Sequence, residues 1–423
     1  MASLTYKQLL SGNRNFRNLL AGQVISELGN WFNFIAGLGL VRLVSDASPT
    51  AAGVFFVCRL LPFSLVSPIA GTFVDRFSRR QVMIVTDLAR VAVALMYLLV
   101  DAPDSLWIAY LATVLLSTFG AFFEGAKNAT TPNLTGSDGL LAGTALMFSS
   151  RFLLMAVGSA LGGWAAAAFG YQAAFIINAL SFLASAYTVW LIPEEATRDS
   201  GSAERMSGTK ERASFLTELR EGLTYTVANR FAFTILIMNV IWATGGGAIN
   251  VIFERGGGIY FAQKENWNPD IAVAILWTAS GFGLTIGMLI AHRASIYLDR
   301  RNSNFAFIGG ALIIHGILFS LAGLMPTLWL FAVFTFVSRA IVGVEYAVQE
   351  TMFQRSLPDY IRGRISTLDR GAELTMFGLS SYVASEAMYY ISPVTLTVIS
   401  GVLSASSGVV WFFRERPGKI TQL

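Results

Sequence analysis

The chain has 423 residues, 54% of them hydrophobic and 13% charged, with a formal net charge of +4. An average soluble domain carries roughly 25% charged residues, so this composition excludes an ordinary water-soluble globule and points to a polytopic membrane protein. One cysteine, Cys58, and two histidines, His292 and His315, exclude an intrachain disulfide framework and a metal site of the usual ligand type.

Apolar runs of about 20 residues, each enough for one crossing of a bilayer, recur along nearly the whole length. Residues 1–16, with Lys7 and Arg14, read as a short cytoplasmic arm that is retained, because the following run is too long for a signal-peptide core. The first span is expected over 19–44 and contains Glu27, Asn30 and Trp31; the second begins near 51 and ends at Gly71. The third, 81–100, holds Asp87 and Arg90 one helical turn apart, and the next three are expected over 106–127, 140–169 and 171–192.

Residues 193–230 break the pattern. The stretch 194–212 is polar and rich in Ser, Gly and Arg, which is linker composition. Beyond it Phe215, Leu216, Leu219, Leu223 and Val227 recur at helical spacing opposite Glu218, Arg220 and Glu221, with Ser214 as N-cap. Such a helix either lies on the membrane surface or spaces two halves in solvent. Six further spans follow over 231–253, 271–292, 305–324, 328–349, 365–390 and 394–413. The domain expectation is therefore a first bundle over 1–193, a linker over 194–230 and a second bundle with a short tail over 231–423.

Orientation follows from the turns between spans. Arg76, Arg79, Arg80, Lys127, the linker, Arg293, Arg300, Arg301, Arg355, Arg362, Arg364, Arg414 and Arg416 fall on one side. The opposite turns, around 45–50, 101–105, 325–327 and Ser392, contain no Lys or Arg, so both termini are expected in the cytoplasm. The exception is 255–268, expected as a longer outward loop of mixed charge.

Between the second and third spans stands Gly71-Thr72-Phe73-Val74-Asp75-Arg76-Phe77-Ser78-Arg79-Arg80. This stretch resembles the loop signature of the major facilitator superfamily, Gly-x-x-x-Asp-Arg-x-Gly-Arg-Arg, with Ser78 where that family prefers glycine. The resemblance implies an all-α membrane protein of twelve transmembrane helices in two pseudo-symmetric six-helix bundles, exposing a central cavity alternately to either side. A degraded copy, Ser295-x-x-x-Asp299-Arg300-Arg301, follows the eighth span, and Glu124 and Glu350 each stand eight residues before a proline, Pro132 and Pro358. The halves thus read as internal repeats. Gly71, Asp75, Arg76, Arg79, Arg80, Glu124, Asp299, Arg300 and Glu350 are the expected cytoplasmic gate, with Arg79 or Arg80 latched to Glu124 and Arg300 or Arg301 to Glu350.

Gly158-Ser159-Ala160-Leu161-Gly162-Gly163 resembles the Gly-Pro-x-x-Gly-Gly core of the superfamily's antiporters, with Ser159 in place of proline. Gly158, Gly162 and Gly163 equally suit close helix packing. Gln23-x-x-Ser26-x-x-Gly29-Asn30-Trp31 and Gln354-x-x-x-Pro358-Asp359-x-x-Arg362-Gly363-Arg364 resemble the bacterial exporters related to macrolide efflux and enterobactin export proteins. Those exporters often carry an acid where Asn30 stands.

Ionisable residues inside spans are functional candidates by default, because each is costly unless it meets a cavity or a partner. Glu27, Arg59, Arg151, Arg339 and Glu373 qualify. Glu27 and Glu373 are read as proton carriers, or else as members of structural pairs; Arg151 and Arg339 either attract an anionic substrate or neutralise the acids. Trp31, Trp242 and Trp277 are candidates for an amphipathic pocket, and Asn178, Asn239 and Asn250 are weaker polar candidates. No Ser-His-acid set and no phosphate-cradling Gly-x-x-x-x-Gly-Lys-Ser/Thr loop is present, so neither an enzyme nor an ATP-driven pump is expected, and no cofactor.

The expected function is proton-coupled efflux of an amphipathic small molecule of drug or siderophore type. The expected partners are that molecule, protons and the lipid bilayer, without nucleic acid, for a monomer in a bacterial inner membrane. Lipid, lysolipid or solute movement on the same fold is the first alternative, and a non-transporting membrane sensor or assembly factor the second.

Overall fold

Hydrocarbon offers no water to satisfy backbone amides, so a lipid-embedded chain closes its hydrogen bonds within each segment, as helix. The structure, a computed structural model, describes residues 4–74, 76–198 and 215–415, and they are helical with no strand among them. In order the helices are α1 (Tyr6–Gly12), α2 (Arg14–Val44), α3 (Pro49–Val74), α4 (Arg79–Met96), α5 (Leu106–Trp190), α6 (Glu194–Thr197) and α7 (Phe215–Ala228). Then come α8 (Arg230–Ile252), which runs through a π-helical stretch, Phe253–Phe261, into α9 (Ala262–Glu265), and α10 (Pro269–Arg300). The last four are α11 (Asn304–Gly323), α12 (Leu328–Ser356), α13 (Asp359–Ala387) and α14 (Pro393–Arg414).

Nine of these helical runs are long and apolar enough to cross a membrane. One of them, α5, is three limbs end to end, broken at Gly136 (φ 63°, ψ 178°) and Gly170 (φ 79°, ψ 169°), a backbone region that is essentially closed to residues with a Cβ. The 29-residue α13 is long enough to span as well, but Arg362, Arg364, Asp369, Arg370 and Glu373 lower its hydropathy. The described residues thus hold twelve long helices, the all-α architecture expected.

The fold divides into two compact units, Met1–Val44 with Leu65–Ser214, and Ser45–Ser64 with Phe215–Leu423. In the first, α2 lies against the second and third limbs of α5 at seams that leave no room for side chains. A Cβ at Gly158 would fall 2.7 Å from that of Trp31, and one at Gly162 3.1 Å from the Phe32 backbone. At one end of this unit Phe16, Met83, Phe123 and Met147 form an apolar cluster. In the second unit α10 meets α12 at Gly283, Gly287 and Gly343, and α11 meets α14 at Gly316 and Gly401. Small residues at such seams let helices approach where lipid supplies no hydrophobic drive.

Four local expectations change. Residues 255–268 do not form a loop: the helix continues to Glu265. The glycines 256–258 widen it into the π-helical stretch, and Gly257 sits flush against Ala272 and Leu276 of α10. Its charges are absorbed locally, with Lys264 donating to Pro326 O at 2.8 Å and Glu265 capping α12 by accepting from Leu328 N at 2.8 Å. The stretch Ser295 to Arg300 likewise forms the last turns of α10 instead of a connecting loop. The fourth span, expected to end at 127, runs helical past Pro132 to the break at Gly136.

The amphipathic helix exists as α7, but it packs on α13, with Gly222 against Arg364 and Glu221 ion-paired to Arg364; Leu223 and Val227 remain exposed. Ser214, its expected cap, lies outside the described residues, as do Asp75, Arg416 and residues 199–213 of the linker.

The family-atypical serine of the signature loop has a local purpose. Ser78 adopts φ −60° and caps α4, its Oγ accepting from Gln81 N at 3.4 Å, so no glycine is needed there. Thermal unfolding of the purified protein in detergent should show Ser78→Ala costing about 1 kcal/mol and Ser78→Gly only a few tenths. Gly170→Ala, which must strain or straighten the α5 break, should cost about 1–3 kcal/mol in the same measurement.

Candidate functional site

The ionisable residues of the first unit are met by neighbours within it. Asp87 and Arg90 form a fully buried ion pair on α4, and the Arg90 guanidinium also lies over the rings of Phe123 and Phe182, 4.5 and 4.4 Å from their centroids. Glu124 bonds Lys127 at 2.6 Å and lies within the electrostatic reach of Arg151 and Arg90. The cation hydrogen-bonded to Glu124 is therefore Lys127, one turn along the same limb of α5, and not Arg79 or Arg80 as the latch expectation had it. Both arginines donate to backbone: Arg79 to Ala129 O at 2.9 Å and Arg80 to Trp190 O, at the end of α5, at 2.5 Å. Close by, a hydrogen bond from Arg198, helped by Ser78 and Arg80, holds the Glu194 carboxyl below the usual carboxylate range. Gly71 and Arg76 are exposed.

The expected membrane candidates of α2 divide. Asn30 Nδ2 comes within 3.5 Å of Glu27 Oε2 on a half-buried face, so Glu27 has an amide neighbour where an acid was a family option. Trp31 is buried, packed on Gly158 and edge-on to Phe34 at 5.3 Å. Gly158 and Gly162 thus serve the α2 seam, and Gly163 is buried beside them. Arg59 is half-buried on the part of α3 that groups with the second unit, and Arg151 is exposed.

The second latch differs in the same way as the first. Glu350 accepts from Gln354 at 2.6 Å, and Gln354 also donates to Ser366 at 2.8 Å. Asp299 accepts from Asn304 at 2.6 Å, Arg301 lies over Tyr297 of its own helix at 4.6 Å, and Arg300 is exposed. Because Ser295 to Arg300 is helix, these side chains are held along α10 and its end.

The functional chemistry of the second unit gathers in one place. A narrow recess between α8, α11, α12 and α13, with a cavity of about 10 Å³, is lined by Asn239, Trp242, Glu345, Tyr346, Gln349 and Glu373, among others. Gln349 Nε2 donates to Asn239 Oδ1 at 2.9 Å, and Asn239 Nδ2 donates to Asp369 Oδ2 at 2.9 Å, so one amide links three helices. Arg370 bonds Glu373 at 2.7 Å. Glu345 is 3% exposed, with Oε1 lacking any hydrogen-bond partner, and Asp369 Oδ1 is equally bare. Two buried acids, Glu345 and Glu373, therefore line this wall, a third, Asp369, stands behind it on Asn239, and the one adjacent base is Arg370, bonded to Glu373. Trp242, edge-on to Phe377 at 5.3 Å, and Tyr346 give the recess an aromatic side.

Of these, Glu373, Asn239 and Trp242 were read from sequence. Glu345 and Asp369 were missed, although both stand within hydrophobic spans, and Asp369 lies four residues before Glu373, on the same helical face. That spacing was the available signal.

Long helices closing their own hydrogen bonds in two compact units, with buried acids and amides facing an aromatic recess, define a polytopic membrane transporter. The profile of the Major Facilitator Superfamily matches residues 19–368, and the chain belongs to that family. Over 367 residues, 85% of this chain and 83% of the relative, it is 26% identical to the MFS-type transporter YfiS of Bacillus subtilis strain 168. It is 23% identical to macrolide efflux protein A of Streptococcus pyogenes, with 84% of each chain covered. It is 22% identical to the staphyloferrin A transporter of Staphylococcus aureus, with 93% of this chain and 94% of that one covered. In fold it is similar to the nucleoside transporter NupG, with a TM-score of 0.67 at 14% identity over 95% of this chain and 99% of that one. The chain is thus a multi-pass membrane transporter of a small molecule and not an enzyme, and its relatives include a macrolide efflux protein and a siderophore transporter.

Asn239→Ala would strip partners from both Asp369 and Gln349. We expect a loss of about 1–3 kcal/mol in unfolding free energy, the cost of leaving buried polar groups unsatisfied, read by denaturant unfolding in detergent.

Proposed function

We propose that the chain is a proton-coupled exporter of an amphipathic small molecule of drug or siderophore type, working by alternating access as a monomer in a bacterial inner membrane with both termini cytoplasmic. The observation that carries the coupling is the acid excess at the recess. With Glu345, Asp369 and Glu373 all ionised, Arg370 leaves net negative charge in a low-dielectric place, and an unpaired buried ion costs several kcal/mol. A proton taken by one carboxyl relieves that cost, and its release when the site opens to water restores it. Loaded and unloaded states therefore favour different surroundings, which is the differential interaction that any coupled switch requires. Export as the direction rests on the efflux relative, and the aromatic lining suits an amphipathic cargo.

The test is transport of a radiolabelled macrolide in everted vesicles. Uptake should rise with an imposed proton gradient, acid inside, and collapse with a protonophore. Asp369→Asn and Glu345→Gln should each cut gradient-driven flux by tenfold or more, on the order of the 10²–10⁴-fold that a positioned proton-transfer group supplies, while exchange of labelled for unlabelled cargo persists. Wild-type flux indifferent to the gradient removes the coupling. Higher macrolide content in cells making the protein than in cells lacking it removes export.

A further inference from the structure

A second buried group in the same unit has the opposite character. Arg339 on α12 is 6% exposed, its Cβ pressed by Gly283 of α10, and its Nε has no hydrogen-bond partner. No ion pair joins its guanidinium to any acid among the described residues. Thr335, four residues earlier and so on the same face, is wholly buried with Oγ1 unpartnered. His315 on α11 is wholly buried beside them. Ser338 Oγ donates to His315 O at 3.0 Å and lies 2.6 Å from Nδ1, while Nε2 has no hydrogen-bond partner.

Neutralising the recess acids, one role open to Arg339 from sequence, is not what it does here. A buried cation kept without a counter-charge is costly for packing alone, and two orphan donors on one helix face match an incoming acceptor. We propose that Arg339 and Thr335, with His315 beside them, form a subsite for a carboxylate group of the transported molecule. One guanidinium balances one negative charge and can meet both oxygens of a carboxylate, whereas a doubly charged phosphate would leave charge over. Nε2 of His315 is available to a ligand hydroxyl. The recess begins one turn on: Val342 lines it three residues after Arg339, Leu312 three before His315, and Glu345 stands about 9 Å further along α12. An anionic head at Arg339 thus places an apolar body toward Trp242 and Tyr346. This inference rests on the transport reading and names the class of its cargo.

The full-length protein in lipid nanodiscs is titrated with 2-naphthoate and with its uncharged isostere 2-naphthamide, binding being read by isothermal titration calorimetry without any gradient. Wild type should prefer the carboxylate by about tenfold or more, as a charge-assisted hydrogen bond implies. Arg339→Gln should bring the two ligands to parity, Arg339→Lys should keep part of the preference, and Thr335→Val should weaken 2-naphthoate several-fold. Equal affinities in wild type overturn the proposal, as does a preference that survives Arg339→Gln in a protein that melts like wild type. Should Arg339→Gln fail to fold, an unchanged preference in both Arg339→Lys and Thr335→Val overturns it. Absence of the preference in wild type that still transports sinks the subsite alone, while absent transport with the wild-type preference intact sinks the transport reading alone.

Discussion

A charge that enters hydrocarbon has to be met from within its own bundle of helices, because neither water nor mobile salt is there to screen it. The two units answer this constraint differently. In the first, Asp87 meets Arg90 and Glu124 meets Lys127, each one turn away on the same helix, and the Arg90 cation is further held between two phenyl rings. In the second, acids outnumber bases around a recess, and an arginine stands apart with nothing to balance it. The first arrangement balances its charges in pairs, although Asp87 Oδ2 and Arg90 Nε keep no hydrogen-bond partner, whereas the second leaves charge of both signs unbalanced.

That asymmetry gives α12 two roles along one face. Its Glu345, Tyr346 and Gln349 border the acid recess, and its Thr335 and Arg339 form the cationic end a few turns away. The helix is held rigidly enough to keep both ends in register, because Gly283, Gly287 and Gly343 bring α10 and α12 into backbone contact.

Much of this was legible in the residues. Span number and the six-plus-six order follow from runs of apolar residues, and the loop Gly71 to Arg80 announced the family despite its serine. The serine itself proved a cap, because at φ −60° the backbone has no use for glycine. Other readings failed for reasons of neighbourhood. Arg255, Lys264 and Glu265 were expected in an outward loop of mixed charge, yet the glycine-widened helix continues through them, with Lys264 and Glu265 bonded at the start of α12 and Arg255 donating to Ala47 O. Glu124 and Glu350 looked like halves of latches between helices, yet each found a donor on its own helix first, Lys127 at three residues and Gln354 at four.

What the chain determined by itself is what depends on short stretches: helix everywhere, crossings of about 20 apolar residues, a family signature carried in ten. Hydropathy and the need to close backbone hydrogen bonds act locally, so they can be read locally. Only the tertiary structure decided which charges meet. Asn239 bridges Asp369 and Gln349 across more than a hundred residues of chain, and Arg339 meets no acid among the described residues, because partnership in a membrane is set by the direction in which a side chain leaves its helix and by what the neighbouring helices present there.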